Sequence, residues 1–136
     1  MSEDTWLPEP TAQTAPYFDG AKDGKLRLQR CNACSAWAFP LKTICQQCGS
    51  SDMRWEDASG RGVLYSHAQL QRVYHPRHEG RLPITLAQID TDEGVRIWSN
   101  LIEADDIDVK VGLRVEVAFE TFPDGGVIPV FKPAAR

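Results

Sequence analysis

Apolar residues change their spacing several times along this chain, and each change marks an element. In the stretch from Thr11 to Lys22, Tyr17, Phe18 and Ala21 fall on one face at helical spacing. Thr11 or Thr14 would cap that helix and Pro16 would sit in its first turn. Gly20 and Gly24 predict that it is short. Its aromatic face must pack on something, either the rest of this chain or a partner. Before it, residues 1–10 carry Pro8 and Pro10 among acidic and hydroxyl residues and read as a loose arm.

After the helix the spacing becomes that of strands. Leu26 and Leu28 alternate with polar neighbours, and short strands are expected at Leu26 to Arg30, Trp37 to Pro40 and Met53 to Glu56. Gly60-Arg61-Gly62 then opens a long, bent strand from Val63 to Val73. Pro83 to Asp90 follows, and Asp92-Glu93-Gly94 is a hairpin signal leading into Val95 to Ile102. The acidic stretch Glu103 to Lys110 has room for one helical turn. Leu113, Val115, Val117 and Phe119 alternate with Arg114, Glu116, Ala118 and Glu120, a half-buried strand. Pro123-Asp124-Gly125-Gly126 is a turn, and Val127 to Phe131 closes the series. Five strands, the first long and flanked by glycine, predict a small barrel of the OB type, which also hides its sheet edges. The expected fold is therefore mainly β: arm and helix over 1–25, a ribbon over 26–57 and a five-stranded barrel over 58–136.

Composition narrows the function classes. A chain of 136 residues with 42% hydrophobic and 25% charged positions is in the ordinary soluble range. Fifteen Lys and Arg against nineteen Asp and Glu give a net charge of -4. There is thus no global basic field for gripping phosphate backbones, although a local basic patch is not excluded. No apolar run approaches the ~20 residues that span a bilayer, so no membrane association is expected. Met1-Ser2-Glu3-Asp4 lacks the basic region and apolar core of a signal peptide, and the expected location is the cytoplasm.

The four cysteines are the most specific chemistry. Cys31 and Cys34 form one C-x2-C pair, Cys45 and Cys48 a second, with ten residues between them. Two such pairs curl into knuckles whose sulfurs reach one tetrahedral ion, with a hairpin bringing them together. Gly49 directly after Cys48 suits a knuckle backbone that turns through positive φ; Ser35 occupies the equivalent place in the first knuckle. A cytosolic setting argues against two disulfides. The expected cofactor is one structural zinc per chain. Four thiolates close its coordination sphere, whereas catalytic zinc keeps a position open, so the ion would hold together a piece too small for a core of its own.

Independent catalysis finds little support. With the cysteines assigned to metal, His67, His75 and His78 are the histidines available. Ser66 and His67 are neighbours on a strand and face opposite sides, so they cannot act as nucleophile and base. Asp105, Asp106 and Asp108 form an acidic cluster that reads as a solvated loop or a weak site for a hard cation. There is no glycine-rich phosphate loop.

The order of motifs carries a resemblance. An aromatic N-terminal helix leads to Gly24-Lys25-Leu26, Gln29-Arg30-Cys31 and Phe39-Pro40. Cys45-x2-Cys48-Gly49, Trp55, Ser59-Gly60-Arg61-Gly62, the Pro83-led strand and Asp92-Glu93-Gly94 come next. Ser99-Asn100-Leu101, Val111-Gly112-Leu113-Arg114-Val115 and Pro129-Val130-Phe131 end the series. Over residues 14–134 this resembles the acyl-CoA-associated OB-fold proteins with a rubredoxin-like zinc ribbon, a family long catalogued as a domain of unknown function. The resemblance implies a non-catalytic partner of a thiolase-like, hydroxymethylglutaryl-CoA synthase-like or MaoC-like hydratase enzyme in acyl-CoA or lipid metabolism. It also implies binding of CoA or acyl-CoA at a cleft between barrel and ribbon.

Such a ligand needs cations for phosphates and an apolar path for its carbons. Arg72, Arg77 and Arg81, with His75 and His78, supply the first in the segment between the first two barrel strands. Trp37, Phe39 and Pro40 offer an apolar wall at the ribbon, and Trp98 lies on the third barrel strand on the same side as Asn100. Each has a plainer alternative: the basic segment as a solvated loop, Trp37 and Phe39 as ribbon-to-barrel packing, Asn100 as an amide that satisfies backbone. Two rival functions stay open. One is a module for single-stranded nucleic acid, which OB barrels and zinc ribbons both serve, though the barrel strands are not basic. The other is a purely structural subunit with no ligand.

Overall fold

The computed structural model describes residues 11–39, 42–72, 84–104, 109–123 and 125–134. Its helix, α1 (Ala15–Lys22), starts after Thr14, the later of the two caps expected from the sequence. Thr11 and Thr14 satisfy each other instead: the Thr11 amide donates to Thr14 Oγ1 at 2.8 Å and the Thr14 amide to Thr11 Oγ1 at 3.2 Å. Thr14 is the N-cap, but its hydroxyl makes no capping bond into the helix. The helix ends as the Lys25 amide reaches back to the Gly20 carbonyl at 2.8 Å, which turns the chain towards the first sheet.

That sheet has three strands, β1 (Arg27–Cys31), β2 (Trp37–Ala38) and β3 (Met53–Asp57), with β1 in the middle. All pairing is antiparallel, with Arg30 opposite Trp37 and Gln29 opposite Trp55. Cross-strand charges fix the register. Arg30 meets Glu56 at 2.6 Å and Arg27 meets Asp57 at 2.9 Å, while the Arg30 guanidinium also lies over the Trp37 ring at 4.9 Å.

Five further strands close a barrel: β4 (Arg61–Leu70), β5 (Ile84–Thr91), β6 (Arg96–Leu101), β7 (Arg114–Thr121) and β8 (Val127–Pro133). Their order around it is β4-β5-β6-β8-β7, and β7 pairs back onto β4, so the expected five-stranded OB-type barrel is what forms. β6 and β8 run parallel, joined where the Ile102 amide donates to the Phe131 carbonyl at 2.8 Å. The long first strand bends at a bulge between Leu64 and Ser66, which puts Tyr65 outside the regular pairing. Val73, Pro83 and the centre of the acidic stretch, residues 105–108, lie outside the described residues.

Alternate positions are buried in β5 and β6, at Ala87 and Ile89 and at Ile97 and Leu101. In β7 Val115 is buried while Val117 and Phe119 are half-buried, and in β8 the adjacent Val130 and Phe131 are both buried. Leu26 and Leu28, at the start of the ribbon sheet, belong to the same buried cluster, and Tyr17, Trp37 and Phe39 pack against it. The core therefore runs without a break from barrel to ribbon, with α1 against both β1 and β8.

Candidate metal centre and apolar cavities

The two cysteine pairs fold into matching knuckles. In the first, the Ser35 amide donates to the Cys31 carbonyl at 2.9 Å and the Ala33 amide to Cys31 Sγ at 3.3 Å. In the second, the Gly49 amide donates to the Cys45 carbonyl at 2.9 Å and the Gln47 amide to Cys45 Sγ at 3.4 Å. Each knuckle then closes with a 2.8 Å bond, Cys31 amide to Ala36 carbonyl and Cys45 amide to Ser50 carbonyl. Ser35 and Gly49 share the left-handed backbone at φ 67° and 80°.

These knuckles bring four sulfurs to one point. The Sγ atoms of Cys31, Cys34, Cys45 and Cys48 all lie within 4.8 Å of one another. Cys31 and Cys48 are 3.6 Å apart, as are Cys34 and Cys45. A disulfide needs about 2.05 Å, whereas ligands at about 2.3 Å in a tetrahedron stand about 3.8 Å apart. All four cysteines are free thiols, and the donor set fits a metal ion. The four thiols are not alike. The amide donors of Cys34 and Ala33 hold the Cys31 thiol below its usual range, and those of Cys48 and Gln47 bring Cys45 down to about 7. Burial and the neighbouring thiols push Cys34 up to about 12, and the Cys31 thiol raises Cys48.

Between α1 and the ribbon sheet lies a partly open cavity of about 220 Å³. Tyr17 and Phe18 come from the helix, Leu28 and Gln29 from β1, Trp55 from β3, and Phe39 from just after β2. The Tyr17 ring stacks edge-on against Phe18 at 5.3 Å and tilts against Phe39 at 6.0 Å. Burial pushes the Tyr17 phenol up to about 12. A second hollow of about 280 Å³ lies on the outer barrel face, where Tyr17 meets Leu86, Trp98, Asn100, Ile128 and Pro129. Tyr17 is therefore the shared wall of both.

The sequence-derived ligand residues fare unequally. Phe39 lines the first cavity. Trp37 packs on the core and under Arg30. Arg72 is exposed just beyond β4; Arg77, Arg81, His75, His78 and Pro40 lie outside the described residues. Trp98, 64% exposed, shares the second hollow with Asn100, as strand parity requires. Ser66 donates to Gln88 Oε1 at 2.7 Å, away from His67. Tyr17, Phe18, Leu28 and Trp55 are the cavity residues that the motif reading passed over. Their signal was the helix's unassigned aromatic face.

Residues 18–54 match the family model of the ChsH2 rubredoxin-like zinc ribbon domain, and residues 55–120 match that of the ChsH2 C-terminal OB-fold domain. A probable enoyl-CoA hydratase alpha subunit of Thermomonospora curvata is 31% identical over 118 residues, 87% of this chain. Those residues are 36% of that relative, so the chain spans little more than a third of its length. A DUF35 domain-containing scaffold protein of Methanocaldococcus jannaschii is 29% identical over 98 residues, covering 71% of this chain and 69% of the relative. Among solved structures, one described as "Ltp2-ChsH2(DUF35) aldolase" superposes with a TM-score of 0.83 at 29% identity. The match covers 95% of this chain and all of that one.

Proposed function

Because the chain belongs to the family that joins a ChsH2-type rubredoxin-like zinc ribbon to a C-terminal OB-fold domain, we propose that it is a non-catalytic accessory subunit of a CoA-thioester enzyme. In that role it binds CoA or acyl-CoA and supports a hydratase of the MaoC type or a thiolase-like partner. The observation that carries this reading is the likeness, over nearly the whole chain, to a protein solved as part of an Ltp2-ChsH2(DUF35) aldolase. The scaffold name of the Methanocaldococcus relative and the hydratase subunit name of the Thermomonospora relative agree with it.

The site chemistry fits a supporting role. We assign one zinc ion to Cys31, Cys34, Cys45 and Cys48. Four thiolates close its shell, so bound zinc supplies a cross-link rather than an open position for substrate. The knuckles fix β1, β1 carries Leu28 and Gln29 to the cavity, and α1 seals that cavity against both sheets. Among the described residues no nucleophile–base pair is assembled. Arg72 at the rim of the barrel, with Arg77 and Arg81, is assigned to the CoA phosphates, and Trp37, Phe39 and Pro40 to the apolar wall.

Purification of the tagged protein from its native cell at mild salt, followed by mass spectrometry, tests the reading. Near-stoichiometric recovery of a hydratase-, thiolase- or synthase-type acyl-CoA enzyme is the expected result. Recovery of nucleic-acid proteins that disappear after nuclease treatment would instead make the barrel a nucleic-acid module.

A further inference from the structure

The cavity between α1 and the ribbon has a more specific character than a cleft for some part of a CoA ester. Its walls are mainly rings and aliphatic chains from Tyr17, Phe18, Leu28, Phe39 and Trp55, and among the described residues no charged side chain lines it. At about 220 Å³ it exceeds the roughly 150 Å³ apolar cavity that is known to stay dry and bind benzene. A straight chain of about six to eight carbons is the guest that such a volume suits. One polar group is buried in the wall. Gln29 is 6% exposed, and its Oε1 accepts from the Lys42 amide at 2.6 Å. That bond fixes which way the amide points.

We infer that this cavity is the site for the carbon chain of a short- to medium-length acyl group. The inference rests on the acyl-CoA reading above and assigns that ligand's apolar end to residues of the helix and ribbon rather than to the barrel. Tyr17 forms the divide between the acyl cavity and the barrel-face hollow beside Trp98 and Asn100. Longer chains must displace it or stay outside.

A chain-length series on the purified full chain tests the assignment, using CoA, butyryl-CoA, hexanoyl-CoA, octanoyl-CoA and dodecanoyl-CoA in calorimetric titrations. Each two added methylenes should tighten binding roughly tenfold until the cavity is full, at about eight carbons, and then stop helping. Ala38 lies on the cavity wall and is half-buried. Ala38→Leu should fill part of the space and weaken octanoyl-CoA at least tenfold while leaving CoA itself unchanged. Amide chemical shifts of the unmutated protein give a second readout that does not depend on a variant folding. Octanoyl-CoA, but not CoA, should move Leu28, Gln29 and Phe39. Affinity independent of chain length, or shifts confined to the Trp98 face, would overturn the cavity assignment. The accessory-subunit reading would still stand or fall separately, on the partner recovered from the cell.

Discussion

At the scale of single residues, the two knuckles form an internal control. Ser35 and Gly49 occupy equivalent places with the same amide bond to the preceding cysteine carbonyl, yet only one is glycine. An L residue in left-handed backbone costs about 1 kcal/mol, part of which is returned by the lower entropy of its unfolded chain. A Cβ on Gly49 would meet nothing within 4 Å, so Gly49→Ala isolates the backbone cost. It is expected to destabilise the metal-loaded protein by about 1 kcal/mol, and Ser35→Gly to stabilise it by up to about 1 kcal/mol. Thermal unfolding of the two variants should move in opposite directions; a shared direction would mean that the knuckles are not equivalent. Tyr17 gives a second residue-scale test. Burial raises its phenol to about 12 from an ordinary value near 10. The charged form is therefore disfavoured in the folded state. The resulting stabilisation is complete below about pH 10 and fades as pH rises to about 12. Tyr17→Phe should abolish that alkaline loss. Subtracting its absorbance titration from that of the unmutated chain should show a tyrosyl group titrating near 12, and a difference curve centred near 10 would contradict the burial.

Elements show where local pattern suffices and where it does not. The alternation from Leu113 to Glu120 was enough to place β7 within a residue, because Leu113, Val115 and Val117 on one face pack on the core. The C-x2-C spacing was enough to gather four sulfurs, since each knuckle is built by bonds between near neighbours. The start of α1 was less legible: two threonines three residues apart could each cap it, and they bond to one another instead. The cavity was harder still. Leu28 and Trp55 share it only because β1 pairs with β3, and Tyr17 joins them only because α1 lies across both sheets. No local period records that meeting. Gly62 stands between these cases, since its motif was visible but its reason was not. A Cβ there would come within 2.5 Å of the Asp90 carbonyl oxygen and 2.9 Å of Ile89 Cγ2. β4 thus approaches β5 at a distance only glycine permits. Gly62→Ala should cost about 3 kcal/mol, visible as a lower urea midpoint. An unchanged midpoint would mean that β4 and β5 can separate there without loss.

For the whole molecule, the decisive fact is that ribbon and barrel bury their apolar residues together. Leu26 and Leu28 are 2% and 1% exposed, and their neighbours in the cluster include Leu64, Ile89 and Phe131 of the barrel. The short sheet, the four-cysteine centre and α1 together hold β1 and the residue before it where they can deliver those two leucines. Each buried leucine contributes about 2 kcal/mol, so a ribbon that opens withdraws about 4 kcal/mol from the core it shares. That is a large part of the 5–15 kcal/mol typical of a small domain. Removing the metal, by chelator or by Cys48→Ser, is therefore expected to destabilise the barrel as well as the ribbon, in one cooperative transition. The expected signature is loss of dispersed amide signals from β5 and β7 together with those of the knuckles, and a chelator-dependent fall in the barrel's unfolding midpoint. Metal analysis on the untreated protein should find one zinc per chain. If the barrel signals keep their positions and protection while the knuckle signals vanish, the two halves are independent folding units. The shared cluster would then be contact without cooperation, and the metal would act on partner or ligand binding through the ribbon alone.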